Sequence, residues 1–135
     1  MKIKTDFVTN SSSTNFIIIS KKEINSSEDL VEVLGINKDS PIYSYINEFC
    51  MEVLTNTDKN YFGVKDLDEE KEFIKKEFGL KTFRKYSKLT RKGYKVYIGR
   101  ADTEFNELMN FFAMDYFEID NKDLFIDGRK NVFWF

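Results

Sequence analysis

The chain has 135 residues, with 14 phenylalanines, seven tyrosines and one tryptophan, a single cysteine and no histidine; its 21 basic and 23 acidic residues leave a net charge of −2. One cysteine excludes an intrachain disulfide and any cysteine-based zinc or iron–sulfur site. Without imidazole there is no Ser–His or Cys–His nucleophile pair and no histidine acid–base step.

The length fits one domain spanning residues 1–135, and a chain of this size buries roughly two-thirds of the surface that its unfolded form exposes. The longest early apolar run is Phe16-Ile17-Ile18-Ile19. It is too short for a secretory core or a membrane span, so the expectation is a cytoplasmic protein with no membrane partner.

In chain order, residues 2–8 alternate loosely and residues 9–15 (TNSSSTN) are polar and turn-forming. Residues 16–20 are a β-branched run, predicted as a central strand buried on both faces. Residues 2–8 either pair with it as a hairpin or lead into it as an irregular arm. Ser26 or Ser27 is set to cap a helix carrying Leu30, Val31 and Leu34, with Glu28 and Asp29 at the positive end of its dipole and Gly35 as a left-handed stop. Ser40-Pro41 is expected to open a second helix with Ile42, Ile46, Phe49 and Val53 on one stripe and Cys50 beside it in the core. Asp66 and Glu69 form a capping-box pattern for a third helix that Gly79 should end.

The second half changes character. Tyr94, Val96 and Ile98 alternate with Lys95 and Tyr97, predicting a strand. A helix with Phe105, Leu108, Met109 and Phe112 on one face should follow, with Gly99 ahead of it as a weak anion-site signal. The aromatic runs 116–120, 124–127 and 132–135 are separated by Asn121-Lys122 and Asp127-Gly128, turn dipeptides that predict a terminal β-meander. The order of elements gives an α+β domain: one mainly antiparallel sheet with helices packed mostly on one face.

Three features could carry binding or chemistry. Asn10, Ser11, Ser12 and Ser13 form a hydroxyl-rich loop able to meet an anion or a partner, but they lack the glycines and lysine of a phosphate-binding loop. From Lys81 to Arg100 there are eight basic residues and no acid. Reading 84–88 and 94–98 as paired strands places Arg84, Lys85, Tyr86, Lys88, Arg91, Lys92, Lys95 and Tyr97 in one basic and aromatic patch. Such a patch suits single-stranded nucleic acid, an acidic protein surface, or plain solvation of a sheet edge. Acids dominate from Asp102 to Asp127, where Glu118, Asp120 and Asp123 form a candidate acidic patch. A polar outer face opposite Phe117, Ile119 and Ile126 is the plain explanation; a basic partner or a divalent ion is the functional one. The D-L-F-I-D-G run lacks a calcium-loop pattern, and no resident metal is assigned.

Residues 2–16, with Phe7, Val8, Thr9, Asn10, Ser11, Ser12, Ser13 and Phe16 at the matching positions, resemble the opening of a set of small uncharacterised bacterial and phage proteins. Those carry F-V-[ST]-N-S-S-S followed by an aromatic and a strand. The likeness covers about 15 residues. It implies a bacterial or mobile-element origin and no particular activity.

The resulting expectation is a small non-catalytic module that binds another protein, such as a phage or mobile-element inhibitor of a host protein, and needs no cofactor. A single-stranded nucleic-acid binder using residues 81–100 is the alternative, and a carboxylate or divalent-metal enzyme the third reading.

Overall fold

A computed structural model describes residues 13–102 and 117–130. The elements are β1 (Ser13–Ser20), α1 (Ser27–Leu34), α2 (Tyr43–Thr55), a short 3-10 turn (Lys59–Phe62), α3 (Leu67–Arg91), β2 (Lys95–Asp102), β3 (Phe117–Asp120) and β4 (Leu124–Lys130). The strands form one antiparallel sheet in the order β2-β1-β4-β3, which establishes an α+β fold.

β1 is the central strand because it is apolar toward both faces. Phe16, Ile17, Ile18 and Ile19 are all fully buried, each contributing about 1.5–3 kcal/mol of burial. Alternation sends Phe16 and Ile18, with Leu124 and Ile126, toward Leu30 and Val31 of α1 and Cys50 and Val53 of α2. It sends Ile17 and Ile19, with Ile98 and Phe125, toward Ile74, Phe78, Tyr86 and Leu89 of α3. Two helices therefore share one face, as expected, while the longest takes the other and completes a second core. Both edges of β1 are occupied by β2 and β4. The residues expected to pair with it as a hairpin, 2–8, lie outside the described residues.

Local chemistry sets the helix ends. Ser26 caps α1 by accepting from the Asp29 N–H, and Gly35 ends it in the left-handed conformation at φ 88°. Asp66 caps α3 by accepting from the Glu69 N–H at 2.9 Å, while Glu69 accepts from the Lys65 N–H at 2.7 Å. The second helix begins two residues later than expected. Ser40-Pro41 lies in a turn, Ile42 stands at the cap position with no side-chain cap bond, and Ile42 is 51% exposed. The buried stripe of α2 is instead centred on Cys50 and Val53.

The largest departure is α3. Gly79 leaves helical geometry at φ 88° and ψ 176°, as the expected stop requires, but the chain re-enters a helix that runs to Arg91. Residues 84–88 are therefore helical and do not form the expected strand. Gly79 is a corner between two helical arms, residues 67–78 and 80–91. Tyr86 on the second arm donates to Glu70 on the first at 2.6 Å; sixteen residues of straight helix would span about 24 Å.

Gly99 sits inside β2, where it pairs with Phe16 and bridges to Thr57. A Cβ there would lie 2.4 Å from the Asn56 carbonyl oxygen and 2.4 Å from the Phe16 ring. The glycine thus serves close backbone approach, and the anion-site signal read from it is withdrawn. Asp127-Gly128 also lies within a strand, β4, not at a turn; Asn121-Lys122 does form the β3–β4 turn, with Asn121 Oδ1 accepting from Asp123 and Leu124 N–H at 2.9 Å. The expected helix over 105–112 and the aromatic run 132–135 lie outside the described residues.

Candidate interaction surface

The second arm of α3 divides the basic segment by helical period. Thr82, Tyr86 and Leu89, at offsets 0, 4 and 7, are buried. Opposite them, Arg84, Lys88 and Arg91 repeat the same spacing and are exposed. Lys81 and Lys85 occupy the flank above β3 and β4. Lys81 Nζ lies 3.4 Å from Glu118, and Lys85 Nζ lies 3.1 Å from Asp120 and over the Phe125 ring at 5.8 Å. The basic and acidic segments thus meet each other in the folded chain.

This geometry corrects the eight-residue basic and aromatic patch. Tyr86 is buried, its phenol held by Glu70, which also accepts from Lys59 Nζ at 2.5 Å. Burial first, and then the Glu70 hydrogen bond, push the Tyr86 phenol pKa well above its usual range. Tyr97 projects from the other face of the sheet, packs on the α1–α2 core and accepts from the Ile24 N–H at 2.8 Å. Neither ring offers a stacking platform. Lys95 alternates with Val96 and so shares the Tyr97 face, away from α3. Arg84, Lys88 and Arg91 remain as a single-file ridge, with Lys92 at the helix end beside them. Among the described residues none of these four forms a salt bridge.

Cations near a helix C-terminus each gain about 0.3–1 kcal/mol from the helix dipole. That accounts structurally for Lys88, Arg91 and Lys92 near the end of the arm. Arg84 stands two turns before the end, beyond the reach of that effect.

The expected acidic patch also separates. Glu118 and Asp120 share the α3 side with Asp127, which is fully buried and accepts from the Thr82 hydroxyl. On this side α3 packs against β4 at Phe125 and Asp127, while Asp120 on the edge strand β3 stays exposed. Asp123 sits on the β3–β4 turn and lines a groove of about 350 Å³ with Lys21, Lys22 and Glu32. Lys22 reaches Asp29 at 3.2 Å and Glu32 at 2.6 Å. Glu32 and then Asp29 raise the Lys22 pKa; the Asn25 N–H and then Lys22 lower that of Asp29. Among the described residues no three potential ligands gather as a metal site, and no helix is long and apolar enough to cross a membrane.

Of the hydroxyl-rich loop, Asn10, Ser11 and Ser12 lie outside the described residues. Ser13 already belongs to β1, paired with Asp102, so residues 13–15 form strand and not turn. Asn15, read from the sequence as the end of that polar turn, is 7% exposed and donates to Glu77 Oε2 at 2.5 Å just before the Gly79 corner. Comparison of the chain with known protein families, with curated proteins and with solved structures returns no match.

Proposed function

We propose that this α+β domain is a non-catalytic protein-binding module that recognises an acidic partner through the Arg84–Lys88–Arg91 ridge. The supporting observation is that exposed cations stand in line on one helix while Tyr86 and Tyr97 are both turned into the cores. A charged surface from which the Tyr86 and Tyr97 rings are withdrawn suits carboxylates, whereas single-stranded nucleic acid gains about 1–3 kcal/mol from each stacked base. Opposite charges set side by side steer and orient association more than they add raw affinity. The specific form of this reading is a phage or mobile-element inhibitor of a host protein, supported by the small size, the oppositely charged surfaces and the lack of a catalytic constellation in the sequence.

The test is a nuclear magnetic resonance titration of the isotopically labelled chain at low salt with poly-L-glutamate and, separately, with oligothymidylate. Shifts on residues 84–92 that are stronger with poly-L-glutamate and vanish at high salt support the reading. Tighter binding of the oligonucleotide would replace it with nucleic-acid binding; no shift with either would remove the ridge as an interface.

A further inference from the structure

Resting on the protein-binding reading, we infer that the partner element seated on the ridge is an acidic α-helix whose carboxylates form one stripe with basic residues along its border. Arg84, Lys88 and Arg91 stand about 6 Å and about 4.5 Å apart along the arm. That is the spacing of carboxylates at i, i+4 and i+7 on another helix, so each cation meets one acid without either backbone bending. Lys81, its side chain 75% exposed, and Lys92 border the ridge on the same side of the arm. Its flank over β3 carries the Lys81–Glu118 and Lys85–Asp120 pairs, with the Asp120 side chain 41% exposed. Cations therefore stand beside accessible carboxylate, and the strip has two signs across its width.

The two signs select among polyanions. A phosphodiester strand presents negative charge across its whole width and would meet Asp120 as well as the ridge. A helix with one carboxylate stripe and a lysine border places unlike charges opposite each other on both lines. The anchoring of the arm also suits a helical partner. The arm is pinned beneath by Thr82 on Asp127 and by Tyr86 on Glu70, so little ordering is left to occur on contact.

The test uses the full chain and two alanine-rich synthetic peptides of identical composition, each roughly 20 residues and long enough to hold helix in water. One carries glutamates at i, i+4 and i+7 with lysines along one border; the other carries the same residues scrambled around the helix. Resonance shifts are followed to millimolar peptide. The expected result is binding of the striped peptide at least fivefold tighter than the scrambled one, with shifts on residues 81–92 and 118–120. The Asp120→Asn variant should lose most of that preference while keeping its own spectrum dispersed. Equal binding of both peptides overturns the helical partner and leaves charge-based protein binding standing. Binding of neither peptide, with poly-L-glutamate still bound, overturns it as well. Failure of both peptides and of poly-L-glutamate removes the protein-binding reading itself.

Discussion

The phenol of Tyr86 donates to Glu70 Oε2 at 2.6 Å across 16 residues of α3, and this bond is possible only because the helix turns back at Gly79. The two arms thereby present their apolar sides, Ile74 and Phe78 on one and Tyr86 and Leu89 on the other, to the same sheet face. The outer side of the second arm is left to Arg84, Lys88 and Arg91. The corner at Gly79 thus determines where the candidate surface lies.

Tyr86→Phe removes the donor and leaves a buried carboxylate with Lys59 alone. A hydrogen bond to a charged group contributes about 1.5–3 kcal/mol, so a loss of that size is expected in urea unfolding. Combining Tyr86→Phe with Glu70→Gln should cost less than the two single losses summed, because both remove the same bond.

Gly79→Ala places a side chain at φ 88° and ψ 176°, a region open essentially to glycine alone. The expected cost is about 1–3 kcal/mol, read as a lower urea midpoint. An unchanged midpoint would show that the corner relaxes freely.

Gly99→Ala brings a Cβ against both a backbone carbonyl and an aromatic ring. Overpacking of this kind costs about 1–3 kcal/mol and occasionally more; the upper end is expected because the Asn56 carbonyl cannot rotate away. Adding Phe16→Leu should not restore stability, since it clears the ring but leaves the carbonyl in place.

Alkaline pH should weaken the fold through two buried groups. Burial pushes the Cys50 thiol from its ordinary value near 9.0 up to about 12, so between these values the unfolded chain loses a proton that the folded chain keeps. Stability is fully present below about pH 9 and falls as pH rises, with a limiting slope of about 1.4 kcal/mol per pH unit for each such group. Tyr86, also raised, adds to the fall above pH 10. Cys50→Ala should flatten the profile between pH 9 and 10 in chemical denaturation followed against pH.

Much of the scaffold is legible in the sequence where residue type and position agree. The Phe16–Ile19 run, the Ser26 cap, Gly35 and the Asp66–Glu69 capping pattern each carry their own structural reason. The second arm of α3 was obscured because its buried positions are Thr82, Tyr86 and Leu89, two of them polar enough to hide a helical period. Arg84, Tyr86 and Lys88 then imitate the alternation of a strand. Asp127 misled for a related reason: followed by glycine it has the form of a turn, whereas it lies inside the core and accepts from the Thr82 hydroxyl. The ridge could not be seen until the helical period replaced the strand period, since only the helix separates Arg84, Lys88 and Arg91 from Lys81 and Lys85. The meeting of Lys81 with Glu118 and of Lys85 with Asp120 is a tertiary relationship, with no local signal in either segment.

The most direct measurement compares two charge-reversed chains of equal net charge for affinity toward poly-L-glutamate at low salt. One carries Arg84→Glu, Lys88→Glu and Arg91→Glu; the other carries Lys65→Glu, Lys71→Glu and Lys76→Glu at exposed positions elsewhere. Ridge-based recognition predicts at least a tenfold loss for the first and less than about a threefold loss for the second, with both melting as cooperative folded domains. Equal losses would show that overall charge, and not the ridge, governs association.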